Sequence, residues 1–223
     1  QRGLKNSPIQ IIGLGGAIGV GLFLGSATAI ELAGPSVLLT YVIGGIAIYF
    51  IMRALGELSV AYPVSGAFSA HAARFLGPKW GYLTGWTYWY MWMVTCMAEL
   101  TAVGIYMNFW YPDLPQWLSA LVALVIMTVV NFIAVSAYGE FEFWFALVKI
   151  CTIIFMIISG IGMIVFGIGN GGIATGIANL WQNGGFFPNG FAGTLMALVM
   201  VMYSYLGIEI IGVTAGEAHD PNS

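Results

Sequence analysis

The chain has 223 residues, of which 60% are hydrophobic and 7% charged, with a formal net charge of −3 and a mean hydropathy of +0.91. Soluble domains carry about a quarter charged residues, so this composition excludes a water-soluble globular protein. The small net charge and the lack of a basic patch exclude a nucleic-acid binder. At about 20 residues per crossing, six membrane spans fit with short loops.

The apolar segments place spans over 9–33, 37–60, 83–108, 117–137, 143–167 and 191–214. Between them lie Gly34-Pro35, Pro63-Val-Ser-Gly66, Pro112-Asp-Leu-Pro115, Tyr138-Gly139 and the Gly/Asn-rich run 167–190. Period-two alternation is absent, which argues against a β-barrel and for an all-α membrane protein. The N-terminus carries no cleavable signal pattern. A start without methionine and an end in a polar stretch fit a fragment.

The first span contains Gly13, Gly15, Gly16, Gly19 and Gly21. Glycine costs roughly 1 kcal/mol relative to alanine in a helix interior, so this segment is predicted to break at mid-membrane depth. Irregular backbone survives there only when buried in protein or lining a cavity. The competing reading is close helix packing, through the faces Gly15-x-x-x-Gly19 and Gly21-x-x-x-Gly25. The dinucleotide fingerprint fails, because no strand precedes the run and its third glycine is missing.

The six basic residues set the orientation. With the N-terminus in the cytoplasm, Arg2, Lys5, Arg53, Arg74 and Lys79 are inside, and the outer loops 109–116 and 168–190 contain neither Lys nor Arg; Lys149 is the exception. Trp80, Tyr82, Trp86, Trp110, Tyr111 and Trp117 cluster near span ends as interfacial belts. Between Pro63 and Gly81, Phe68, His71, Phe75 and Trp80 mix with Arg74 and Lys79, so this stretch is an amphipathic surface segment or a plain solvated loop. His71 reads as a lone, solvent-exposed loop histidine.

Charges inside the membrane are costly and usually functional. Glu99 lies mid-span in the third segment, suited to substrate-side contact, to a proton relay or to interhelix hydrogen bonding. Lys149 lies ten residues beyond Gly139, about 15 Å deep if helical. Its stem reaches about 6 Å, so it stays in the bundle instead of snorkelling out. A desolvated ammonium gives up its proton more readily than a hydrated one, so Lys149 is a candidate proton carrier; a structural Lys–Glu pair is the alternative.

In the sixth span, Gly207 and Gly212 flank Glu209, a gating carboxylate or a cap for a broken helix. Paired interruptions in the first and sixth spans point to an inverted-repeat transporter with five spans per repeat. Half-helix N–H groups suit a carboxylate and freed carbonyls suit an ammonium. A small ligand carrying both is an amino acid.

The remaining charges are milder. Arg53 and Glu57 are one helical turn apart and positioned to pair. Glu140 and Glu142 favour a helix start, while Glu31 and Asp113 fall near the outer surface. Cys96 and Cys151 lie inside apolar segments and read as small buried apolar residues. The sequence has no Ser/His/Asp set, no metal-ligand spacing and no phosphate loop, so it reads as a non-enzyme without a bound cofactor.

Seven stretches carry a family resemblance: Gly15–Phe23, Ala33-Gly-Pro-Ser36, Met52-Arg-Ala-Leu-Gly-Glu57, Pro63–Gly66, Ala98-Glu-Leu-Thr-Ala102, Tyr138–Lys149, and Gly207-Ile-Glu209 running into Ala215-Gly-Glu-Ala218. Together they closely resemble the bacterial amino acid permeases of the amino acid–polyamine–organocation superfamily. The resemblance implies a LeuT-like inverted-repeat fold of about twelve spans, of which the first six are present here: the first repeat of five plus the sixth helix.

It also implies proton-coupled amino acid uptake across a bacterial cytoplasmic membrane, with the proton as coupling ion. Carried over, the substrate-binding segments are Ala17, Ile18, Gly19, Val20 and Gly21 with Tyr203, Ser204, Tyr205, Leu206 and Gly207. The α-carboxylate meets N–H groups near Val20 and Gly21, and the α-ammonium meets carbonyls near Ala17, Tyr203 and Leu206. Ser204 and Tyr205 flank the pocket, and Glu99 faces the substrate side chain. In sodium-independent relatives a fifth-helix lysine stands where a sodium ion would; Lys149 matches it. Lys149 and Glu209 are the candidate proton-coupling residues.

The implied partners are a small amino acid and the lipid bilayer, and nothing indicates an oligomeric state. An exchanger or sodium-coupled carrier of the same fold is one alternative, and a truncated, non-transporting membrane fragment is the other.

Overall fold

The computed structural model describes residues 15–16, 18–62, 64, 66–133 and 138–210. Among the described residues all regular structure is helical: α1 (Val20–Phe23), α2 (Gly25–Ala33), a 3-10 turn (Gly34–Ser36), α3 (Val37–Ala61), α4 (Ala67–Leu76), α5 (Pro78–Trp110), α6 (Gln116–Ile133), α7 (Tyr138–Phe166), α8 (Asn179–Gln182) and α9 (Gly190–Ser204). Three stretches are long and apolar enough to cross a membrane: Val20–Ala61, Pro78–Trp110 and Phe143–Phe166. Gln116–Phe132 and Gly190–Ser204 are shorter apolar helices.

The 42 residues of Val20–Ala61 would measure about 63 Å as one straight helix, twice the hydrocarbon thickness of about 30 Å. The turn at Gly34-Pro35-Ser36 divides them. Gly34 has φ 59° and ψ −141°, a conformation that a Cβ disfavours, and Pro35 lacks the N–H that a continuing helix needs.

The described chain forms two compact units, one drawn from residues 6–49 and 142–208, the other from residues 50–141 and the stretch beginning at Glu209. In the first unit, α9 packs along α2 through small residues. Ala29, Ala33, Ala197 and Val201 are buried together, with Leu32, Val37, Tyr41, Met200 and Tyr205 around them. Gly193 lies against the Leu32 carbonyl so closely that a Cβ would collide with it. Asn189, preceding α9, donates from Nδ2 to the carbonyls of Glu31 and Leu32, both at 3.0 Å. It thereby satisfies acceptors at the end of α2 that have no intrahelical donor. Ser36 and Thr194 share a buried hydroxyl–hydroxyl hydrogen bond of 2.7 Å. Small side chains with polar links are how helices associate in lipid, where burying apolar surface gives no advantage.

In the second unit, α4 packs on the start of α5. A Cβ at Gly81 would meet Ala73 and come within 2.9 Å of the Ser69 carbonyl. The rings of Phe68 and Tyr88 meet at a tilt, their centroids 5.5 Å apart. The α5–α6 pair is joined where Gln116 Nε2 donates to the Thr101 carbonyl at 3.2 Å and its side chain covers Gly104. Arg53 pairs with Glu57 at 3.1 Å, both exposed. Such a pair contributes at most about 0.5 kcal/mol.

Large apolar side chains such as Phe50, Phe132, Phe155 and Phe166 are outward and exposed, while the buried hydrophobics are mostly alanines. That inversion suits a hydrocarbon solvent. It also corrects the expectation for the cysteines: Cys96 and Cys151 are free and exposed, because an apolar side chain in a membrane helix has no reason to turn inward. His71 differs from expectation too. It lies on helix α4 and is buried, without a hydrogen-bond partner for either ring nitrogen, because the amphipathic segment folds as a helix onto α5 instead of remaining a solvated loop.

Replacing Gly193 by Ala is expected to destabilise the protein by about 1–3 kcal/mol through overpacking against the Leu32 carbonyl. Replacing Gly160, which has open space around it, is expected to be neutral or stabilising by up to about 1 kcal/mol. Thermal unfolding of both variants in detergent micelles checks the contrast.

Candidate functional site

The site is built from the two interrupted helices of the first unit. Gly15 and Gly16 are helical, Ile18 and Gly19 are not, and helix resumes at Val20. Gly19 is extended, with φ −130° and ψ −164°. Its carbonyl accepts the N–H groups of Leu22 at 3.2 Å and Phe23 at 3.3 Å, which restarts the helix. A helix beginning at Val20 aims its leading N–H groups, with their partial positive charge, back into the break.

The second interruption follows α9. After Ser204 the chain turns through Tyr205–Ile208. The N–H groups of Tyr205, Leu206 and Ile208 donate to the carbonyls of Met202, Tyr203 and Tyr205 at 3.2–3.4 Å. These three-residue steps tighten the helix end. Gly207 has φ 97° and is buried, so the turn needs a residue free of Cβ strain at that position.

The two interruptions meet. Ser204 Oγ donates to the Gly21 carbonyl at 2.7 Å. A Cβ on Gly21 would stand 2.6 Å from the Tyr203 carbonyl oxygen and 2.9 Å from Ser204 Cα. Gly21, the second residue of the restarted helix, thus provides close packing, and the break falls just before it at Ile18–Gly19. Tyr41, on α3, brings its hydroxyl within 3.5 Å of Ser204 Oγ, and Tyr205 Oη donates to the Tyr41 carbonyl at 2.8 Å.

Lys149, on α7, reaches the same strand of chain. It is half-buried, and its Nζ donates to the Gly15 carbonyl at 3.1 Å. One turn earlier on α7, Ala146 fills the space where a Cβ of Gly15 would sit. The ammonium therefore ties α7 to the chain just before the break. An ammonium–carbonyl bond is charge-assisted and roughly twice as strong as a neutral one.

Of the residues singled out from the sequence, Ile18, Gly19, Val20, Gly21, Tyr203, Ser204, Tyr205, Leu206, Gly207 and Lys149 all fall within the first unit. Ala17 lies outside the described residues. Glu99 is half-buried midway along α5 in the second unit, and Glu209 begins the segment assigned to that unit. Among the described residues, no group of three or more His, Cys, Asp or Glu is placed to hold a metal. Sequence reasoning missed Tyr41, Gly44 and Gly45. The signal was present: two consecutive glycines inside an apolar span mark a place where something approaches the backbone closely.

Comparison with known proteins identifies the lineage. The amino acid permease family profile matches residues 8–223. The chain belongs to the amino acid permease family. It is 64% identical over 221 residues to the uncharacterized amino acid permease YtnA of Bacillus subtilis, covering 99% of this chain and 48% of that protein. It is 53% identical over 223 residues to the probable threonine/serine transporter YbxG of the same organism, covering all of this chain and 48% of YbxG. It is 49% identical over 221 residues to the aromatic amino acid transport protein AroP of Escherichia coli strain K12, again covering 99% of this chain and 48% of the relative. The chain thus spans about half the length of the curated relatives it matches. No solved structure matches it. Family membership and the apolar helices together make this a multi-pass membrane protein.

Ser204→Ala is expected to cost about 1 kcal/mol of stability by removing the bond to the Gly21 carbonyl. Gly21→Ala is expected to cost more, about 1–3 kcal/mol, because backbone atoms and not a flexible side chain stand in the way. Unfolding midpoints of the two variants give the order directly.

Proposed function

We propose that the protein is a secondary active transporter for amino acids that works by alternating access and couples uptake to protons, with its substrate bound at the break between the first and sixth spans. The observation that carries this reading is the meeting of the two interruptions, held by Ser204 and Gly21. A helix start with N–H groups and a helix end with carbonyls lie side by side. A zwitterion complements that pair of opposite partial charges, its carboxylate toward Val20 and Gly21 and its ammonium toward the carbonyls of Tyr203 and Leu206.

The named relatives include a probable threonine/serine transporter and an aromatic amino acid transport protein. These side chains are uncharged, so the common part is the amino acid backbone, and a neutral amino acid is the substrate class.

Lys149 is the coupling group. Its ammonium on the Gly15 carbonyl does what a bound cation would do there: it links α7 to the broken first span. Deprotonation weakens that link and frees the end to move with the substrate. A fixed cation at this position also argues against a sodium-coupled carrier. Glu209 is a second candidate on the proton path. The bacterial cytoplasmic membrane is the proposed location, with the N-terminus in the cytoplasm by the distribution of Lys and Arg.

The test is uptake of labelled neutral amino acids into proteoliposomes holding the full-length parent protein under an imposed inward proton gradient. Accumulation is expected for the parent. Lys149→Ala is expected to leave the protein folded, allow downhill equilibration at most and abolish uphill accumulation. Undiminished accumulation by Lys149→Ala overturns the coupling role.

A further inference from the structure

We infer that Tyr205 is a positioning residue and not a substrate contact: its ring and hydroxyl seat in a glycine notch of α3 and fix the point at which α9 stops. This rests on the transport reading above, whose break it positions.

The notch is Gly44-Gly45. A Cβ at Gly44 would lie 3.0 Å from Cε2 of Tyr205, and a Cβ at Gly45 would lie 3.1 Å from its hydroxyl oxygen and 3.7 Å from Cζ. The phenol is thus laid against bare α3 backbone. Its hydroxyl donates to the Tyr41 carbonyl at 2.8 Å. In an α-helix that carbonyl already accepts the N–H of residue 45. It remains reachable because Cβ atoms tilt toward the helix N-terminus, so a side chain at 45 would cover the turn that holds the Tyr41 carbonyl. Glycine at 45 uncovers it. The Tyr41 ring closes the notch edge-on, 6.2 Å from the Tyr205 ring.

Two consecutive side chains therefore anchor the end of α9 to two different elements. Ser204 holds the broken first span, and Tyr205 holds α3. Tyr205 is the first residue past the helix, and the turn to Gly207 begins with it. With its hydroxyl proton committed to the Tyr41 carbonyl, the phenol has no donor left for a ligand.

The test is a double-mutant cycle in the full-length parent protein, with Gly45→Ala, Tyr205→Phe and the pair, read by initial uptake rate and by thermal unfolding. Gly45→Ala is expected to slow uptake about threefold or more by pushing on the phenol oxygen. Tyr205→Phe removes that oxygen. The double variant is expected to behave like Tyr205→Phe alone, which is rescue by a second substitution in contact with the first. Tyr205→Phe is also expected to leave the ranking of competing amino acids unchanged.

Independent, multiplying effects of the two substitutions overturn the inference, as does a changed ranking in Tyr205→Phe. If Gly45→Ala fails to accumulate in the membrane, recovery of the folded protein on adding Tyr205→Phe is the same rescue, and no recovery overturns the inference. A parent that takes up no amino acid refutes the transport reading alone, since the unfolding cycle still measures the contact.

Discussion

Backbone polar groups cannot be left bare in hydrocarbon, and each one that is costs several kcal/mol by order of magnitude. A membrane protein that interrupts two helices is therefore best served by setting the two breaks against each other or against a ligand. Here the hydrogen bond from Ser204 to the Gly21 carbonyl, with Gly21 lying directly on the backbone of Tyr203 and Ser204, meets part of that demand from within the protein. The small-residue seam between α2 and α9, the Asn189 cap on α2 and the Tyr205 strut all bring these two backbones to contact distance. The same arrangement leaves a helix start and a helix end side by side, which is the electrostatic complement of a zwitterion.

Much of the architecture was legible because bilayer length and turn chemistry are written locally. Gly34-Pro35 marks the division of the first long apolar stretch, and Gly207 marks the turn that follows α9. The turn at Tyr205–Ile208 appears where the sequence places an interruption, although the exact stop at Ser204 depends on contacts with α3 that no local pattern encodes. The pairing of Arg53 with Glu57 was readable from its four-residue spacing.

What was not legible depends on partners distant in sequence. Gly15 facing Ala146 and Lys149 reaching the Gly15 carbonyl join residues more than 130 positions apart. Gly44-Gly45 could be taken as generic small residues until a phenol ring occupied them. Cys96, Cys151 and His71 were misread for one reason. Rules that send apolar groups inward and polar groups outward belong to water, whereas in lipid an exposed thiol is unexceptional and an amphipathic helix can bury its histidine against a neighbour. The glycine-rich run shows the converse case, where two readings offered as rivals both hold at neighbouring residues: Gly19 lies at the break, and Gly21, inside α1, packs on the backbone of Tyr203 and Ser204.

The central claim is that the substrate occupies the break beside Gly21 and Ser204, and it is tested most directly by protection of that break from modification. Ile18 is half-buried in the interrupted segment. In a full-length parent protein with Cys96 and Cys151 replaced by Ser, Ile18→Cys is treated with a charged thiol reagent in proteoliposomes, with and without a saturating transported amino acid. The amino acid is expected to slow modification in step with its occupancy. An unchanged modification rate in a variant that still transports would place the substrate elsewhere and contradict it.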